Sequence, residues 1–116
     1  MGPGGRIILI GSVNRRGSVH ALTKAAVAGF TRGLVRGLGA RGITVNNIQP
    51  GPAGAGMKPA SGPFSGTLKS YPAVNRYGRA EEIAGRVSYV SGPETAYRAG
   101  AHMKIDGGFT SRAGFL

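Results

Sequence analysis

The stretch Gly5-Arg6-Ile7-Ile8-Leu9-Ile10-Gly11-Ser12, followed past a short loop by Val19-His20-Ala21-Leu22-Thr23-Lys24, decides the fold. Arg6 to Ile10 is a short, continuous, Ile-rich run, the pattern of a strand buried on both faces of a parallel sheet. Gly11 to Gly17 makes the connection, polar at Asn14, Arg15 and Arg16, and Ser18 is a good cap for the helix that follows. His20 and Lys24 stand four residues apart and so share one helical face, one turn apart. Ser12, ending the strand pattern, can bring its hydroxyl over that face. A hydroxyl, a titratable ring and an ammonium meeting at a strand's carboxyl end form a candidate acid–base site.

Outward from this stretch, the helix is predicted over Val19 to about Leu38, with Leu22, Ala26, Phe30, Leu34 and Leu38 as its apolar stripe and Val27 and Val35 beside it. A second stripe, Ala25, Gly29, Gly33 and Gly37, is entirely small, and each mid-helix glycine costs about 1 kcal/mol against alanine. Close approach of another helix, or an eroded helix without a partner, accounts for it equally. Ile43 to Ile48 reads as the second strand, ended by Gln49-Pro50-Gly51-Pro52 because proline cannot donate into a ladder. Residues 53–72 are rich in Gly, Pro and Ser with few apolar anchors, which predicts a mobile loop. Glu81 to about Ser91 follows as a helix burying Ile83, Val87 and Val90, and Gly100 to Ile105 as a last strand closed by Asp106-Gly107-Gly108. Met57 is expected to cover apolar surface, and His102 to sit on a strand surface. The order strand, helix, strand, loop, helix, strand predicts an α/β fold of about three parallel strands joined by right-handed crossovers.

Several segments, in order, resemble the short-chain dehydrogenase/reductase family: Gly5 to Ser12, Thr23-Lys24-Ala25-Ala26-Val27, Arg41-Gly42-Ile43-Thr44-Val45-Asn46, Pro50-Gly51, Arg79-Ala80-Glu81-Glu82-Ile83-Ala84 and Ile105-Asp106-Gly107-Gly108-Phe109. The likeness runs from about Gly4 to Thr110. It implies the C-terminal half of a Rossmann-like doubly wound parallel sheet, with residues 1–116 as a partial domain. The family's Gly-rich dinucleotide turn and catalytic asparagine belong to the half without a counterpart here. Two departures stand out. The family's catalytic tyrosine position holds His20, and the loop between Ser12 and His20 is several residues shorter than usual.

The resemblance further implies an oxidoreductase interconverting a small-molecule alcohol and carbonyl with NAD or NADP. Ser12 would hydrogen-bond the substrate oxygen, His20 would stand in the proton-transfer position, and Lys24 would hold the nicotinamide ribose. Pro50-Gly51 resembles the turn beside the nicotinamide. The threonine that usually follows it is matched by Ala55, a loss of one neutral hydrogen bond worth about 0.5–1.5 kcal/mol. An imidazole titrates near ~6.5, suited to proton transfer near neutrality. Its nitrogen, however, falls roughly 2 Å short of a phenol oxygen, and a misplacement of even ~1 Å can cost about 10²-fold. An impaired enzyme is therefore expected. Tyr to His, Thr to Ala and Asp or Glu to Gly are each single transitions of one base-pair type, a pattern that fits His20, Ala55, Gly54, Gly56 and Gly37. In the family the helix after the site lies at a subunit interface, so a homo-oligomer through residues 19–38 is expected.

Composition narrows the alternatives. There is no Cys, which removes disulfides and thiolate metal sites, and two His with four acids leave little for a metal cluster. No apolar run approaches the ~18 residues that span a bilayer, and the amino terminus lacks a secretory apolar region, so a cytoplasmic chain is expected. The net charge of +11 attracts polyanions. The basic residues are scattered and aromatics make up only 7%, so a dedicated nucleic-acid role is not expected. The alternatives to an oxidoreductase are a non-enzymatic, oligomer-forming module and a basic nucleic-acid-binding protein. The strand Arg6–Ile10, deprived of the family's preceding strand, is expected to leave an apolar edge bare to other chains.

Overall fold

A computed structural model describes residues 1–13, 19–54 and 72–111. Its elements are β1 (Arg6–Ile10), α1 (Val19–Leu38), β2 (Thr44–Pro50), α2 (Ala80–Val90) and β3 (His102–Ile105). The three strands form one sheet in the order β1-β2-β3, parallel throughout. β1 pairs with β2 from Arg6↔Thr44 to Ile10↔Ile48, and β2 with β3 from Asn47↔His102 to Pro50↔Ile105. The α/β architecture expected from the sequence is the one observed.

β2 lies at the centre and is buried from Thr44 to Gln49. Val45 and Ile48 join Ile43, Ala21, Tyr77 and Val90 in the core. The polar residues of β2 are buried as well, a cost that hydrogen bonds offset at Asn46, whereas Thr44 Oγ1 and Asn47 Oδ1 have no partner among the described residues. Asn46 Nδ2 donates to Arg98 O at 2.9 Å, and its Oδ1 accepts from Ala101 N at 3.1 Å, which fixes the approach to β3.

β2 runs two residues past the predicted end, and Pro50 closes it from within. In a parallel strand the N–H and C=O of one residue face the same neighbour. Pro50 O accepts from Val13 N at 3.2 Å, so its nitrogen points to the β1 side, where β1 has already ended. The missing donor leaves no gap in the ladder.

The apolar stripe predicted for α1 is corrected. Ala21 and Thr31 are buried, with Lys24, Val27, Ala28, Leu34, Val35 and Leu38 half-buried around them. Leu22 is 70% exposed and Phe30 62%. The face turned to the sheet therefore lies about a third of a turn away from the largest side chains. Thr31 is accommodated because its hydroxyl donates to Val27 O at 2.8 Å within the helix. Nothing stands within 4 Å of where a Cβ would lie at Gly29, Gly33 or Gly37.

β1 is half-buried rather than covered on both faces, and Ile10 is 45% exposed. α2 begins one residue earlier than predicted, at Ala80, with Glu82 Oε1 accepting Arg79 N at 2.9 Å. Residues 55–71 of the predicted mobile loop, Met57 among them, lie outside the described residues. The ends of that loop are anchored. Gly54 N donates to Gly78 O at 3.0 Å and Gly78 N to Pro52 O at 2.9 Å, while Pro72 is buried.

Candidate active site

The carboxyl ends of parallel strands gather the candidate residues, as the topology requires. β1 ends at Ile10, and the chain continues along β2 for three further residues. Gly11 N donates to Ile48 O at 2.7 Å and Val13 N to Pro50 O. Ser12, between them and half-buried, is thereby held at the level of Pro50 and Gly51. Lys24 comes from the second turn of α1, and its Nζ donates to Ile10 O at 2.9 Å. His20 stands one turn earlier, half-buried, its carbonyl accepting the Thr23 hydroxyl at 2.8 Å. Ser12, Lys24, Pro50 and Gly51 are thus brought to one end of the sheet, with His20 on the adjoining turn. Ala55 lies outside the described residues.

Two glycines are dictated by close approach. A Cβ on Gly11 would stand 2.6 Å from Asn47 Oδ1, and one on Gly51 would stand 2.7 Å from Asp106 Cβ and 2.8 Å from its Cα. Gly11 lets the buried Asn47 reach under the site, where its Nδ2 lies 3.2 Å from His102 Nδ1. His102 is consequently half-buried against β2, not on a strand surface as expected. The Gly11–Asn47–His102 stack carried no signal in the sequence, because its members come from three separate strand regions.

Asp106 closes the far side. Its Oδ1 accepts Gly108 N at 3.0 Å, and its Oδ2 accepts Thr110 N at 3.1 Å and Thr110 Oγ1 at 2.7 Å. Burial alone would raise the Asp106 carboxyl, but these donors and nearby Lys104 outweigh it and hold the group below its ordinary value. A cavity of about 220 Å³ opens beside it, lined in part by Pro52, Val74, Ile83 and Ile105 with Arg76 and Glu82 at its rim. Among the described residues no group of three or more His, Asp or Glu side chains is placed to hold a metal ion.

The donor set fits one end of a nicotinamide dinucleotide. An ammonium and a hydroxyl at the strand ends, with an imidazole on the adjoining turn, are groups that can hydrogen-bond a ribose and a substrate oxygen. Among the described residues no Gly-x-Gly-x-x-Gly turn leads from a strand into a helix to hold a pyrophosphate; the one match, Gly37 to Gly42, leads from α1 towards β2.

Comparison with known proteins agrees with this fold. The family model described as enoyl-(acyl carrier protein) reductase matches residues 1–110. The chain is 44% identical over 115 residues to the cyclic-di-GMP-binding biofilm dispersal mediator protein of Escherichia coli, covering 94% of this chain and 48% of that protein. It is 40% identical to the short-chain reductase protein NovJ of Streptomyces niveus, covering 90% and 44%. A short-chain dehydrogenase/reductase from Serratia marcescens superimposes with a TM-score of 0.90 at 50% identity, covering 96% of this chain and 48% of that one. A blue fluorescent protein from a metagenomic library, in complex with NADPH, superimposes with a TM-score of 0.91 at 45% identity, covering 96% and 47%. The chain spans about half the length of the relatives it matches.

Proposed function

The chain belongs to the short-chain dehydrogenase/reductase family, and we propose that it carries the substrate and nicotinamide end of a site interconverting a small-molecule alcohol and carbonyl with NAD or NADP. One observation carries the reading: Lys24 Nζ lies 2.9 Å from Ile10 O, beside Ser12 at the strand ends. In this reading the Ser12 hydroxyl holds the substrate oxygen, and Lys24 and the turn at Pro50-Gly51 hold the nicotinamide ribose and its ring. Ala55, which the resemblance matches to the family's carboxamide-binding threonine, brings no hydroxyl. His20 takes or supplies the proton at the substrate oxygen, from a shorter reach than a tyrosine. The chemistry the cofactor supplies when bound is hydride transfer at its nicotinamide ring. The activity is impaired by that shorter reach and depends on the fold's other half for the dinucleotide's adenosine and pyrophosphate. In the completed fold, the exposed α1 face bearing Leu22 and Phe30 packs against a second copy, in the cytoplasm. No helix among the described residues is long and apolar enough to cross a membrane.

The test joins this chain to the N-terminal half of the Serratia marcescens relative and follows NADPH oxidation with a panel of ketones. Slow turnover that is lost in Ser12→Ala and in Lys24→Met is the expected result. No turnover with either His20 or the His20→Tyr variant would overturn the reading.

A further inference from the structure

Ser12 is preceded by Gly11, a residue of high backbone freedom, so something must hold that link for the hydroxyl to keep one place. Two backbone bonds hold its edge, Gly11 N to Ile48 O at 2.7 Å and Val13 N to Pro50 O at 3.2 Å. The face of the sheet is held differently. The register aligns Leu9 with Asn47 and Asn47 with His102, and aligned residues of parallel strands turn their side chains to one face. Gly11, two residues beyond Leu9, turns the place of its absent Cβ to that same face, and Ser12 turns to the other. The Asn47 carboxamide fills that place. Outside its own stretch of chain, the three atoms nearest to it are Asn47 Oδ1, Nδ2 and Cγ, at 2.6, 3.0 and 3.2 Å. Asn47 is fully buried, and its Nδ2 lies 3.2 Å from His102 Nδ1 on β3.

We propose that Asn47 and His102 are positioning residues for Ser12: the carboxamide is a strut under Gly11, and the imidazole fixes the plane of the strut. The proposal rests on the role given to Ser12 above. Two features favour it over plain filling of space. A carboxamide turns on a broad torsion, and a ring nitrogen at hydrogen-bond distance selects one plane for it. The second feature is Asn47 Oδ1, buried against Gly11 with no hydrogen-bond partner among the described residues. An unmatched buried acceptor is costly, and an apolar side chain would fill the same space without that cost. The amide is therefore kept for its contact with the ring, and what that contact holds still is the glycine at its other end. Neither residue touches the reacting atoms. Asn47 lies on the opposite face from the Ser12 side chain and His102 one strand further off, so both act through Gly11. The third strand of the sheet thereby bears on a serine at the end of the first.

The experiment reads backbone and turnover separately. In the 116-residue chain, amide exchange followed by NMR reports the backbone around Ser12. Asn47→Ala is expected to speed exchange at Gly11 and Val13 by about tenfold or more. The Thr44 and Gly51 amides, bonded to Gly5 O and Ile105 O, are expected to keep their protection. His102→Leu leaves Asn47 in place but takes away the ring nitrogen, and is expected to loosen the same two amides. His102→Asn returns a polar group near the position of Nδ1 and is expected to restore them. In the chain joined to the N-terminal half of the Serratia marcescens relative, Asn47→Ala and His102→Leu are expected to lower kcat about tenfold or more, with KM within about twofold. His102→Asn should recover it. Unchanged exchange at Gly11 and Val13 in both Asn47→Ala and His102→Leu overturns the proposal. So does loosening shared equally by Thr44 and Gly51, equal behaviour of His102→Leu and His102→Asn, or an active joined chain whose kcat ignores the substitutions. Should Asn47→Ala fail to fold, the two His102 variants decide between the same outcomes. A joined chain without any turnover counts against the functional reading, and the exchange pattern then decides the positioning.

Discussion

At His20 the resemblance puts a histidine in the family's tyrosine position, and on that reading reach decides what the change does. On the proposed reading His20 stands at the family's tyrosine position, and its imidazole would end short of the substrate oxygen. In the chain joined to a family N-terminal half, His20→Tyr is expected to raise turnover by at least about 10²-fold, the contribution of a positioned acid–base group; equal rates would show the imidazole already suffices. Glu82 offers a second test at this scale. Arg76 donates to it through both guanidinium nitrogens, at 2.7 and 3.0 Å, and the Arg79 backbone N–H adds a third bond. The Arg76 hydrogen bonds, then the Arg79 N–H, hold its carboxyl at about 2, against an ordinary 4.5. A depressed carboxyl stabilises the fold above its unfolded value and loses that contribution as pH falls through its folded one. The start of α2 is therefore expected to loosen between about pH 4.5 and pH 2. Glu82→Gln should flatten that part of the pH dependence, as read by amide exchange at Ala80–Ile83.

At the scale of elements, glycines with opposite surroundings make opposite predictions. Gly33 lies mid-helix with open space where its Cβ would be. Gly33→Ala is expected to stabilise the isolated chain by about 0.5–1 kcal/mol in a denaturant melt. If α1 packs against a second copy in the completed protein, the same substitution should weaken that assembly. Gly51→Ala meets the backbone of Asp106, which has little room to give. Overpacking of this kind costs about 1–3 kcal/mol, and an unchanged melting midpoint would show that the turn after β2 can shift.

Across the whole molecule, charge and coverage point the same way. All four acidic residues lie at or beyond Glu81, so the +11 excess is concentrated on β1, α1, β2 and the segment after them. That part of the surface attracts anions, a dinucleotide included. Charge alone does not anchor a cofactor, and among the described residues no glycine-rich turn opens a helix to hold a pyrophosphate. NADPH is therefore expected to bind this 116-residue chain more weakly than about 1 mM. Calorimetry finding micromolar affinity would mean that the described half supplies anchors of its own.

The local elements were legible in the sequence because each rests on short-range patterning. The Ile-rich run of β1, the helix from Val19 to Leu38 and the Glu82 start of α2 all follow from neighbours within a few residues. So did the approach of Lys24 to the end of β1, since helical spacing and strand order suffice to place it. Burial was decided elsewhere. The sequence marked Leu22 and Phe30 as core by size and spacing, yet the sheet takes the face of Ala21 and Thr31. Small side chains let α1 lie close to β2, and a hydroxyl bonded within its own helix tolerates burial there. Asn46 and Asn47 are polar, yet they are fully buried because β2 is the central strand. Their partners, Arg98, Ala101 and His102, arrive from more than fifty residues away. Only tertiary structure could supply those partners, because a buried amide is stable solely where distant chain delivers the matching donors and acceptors.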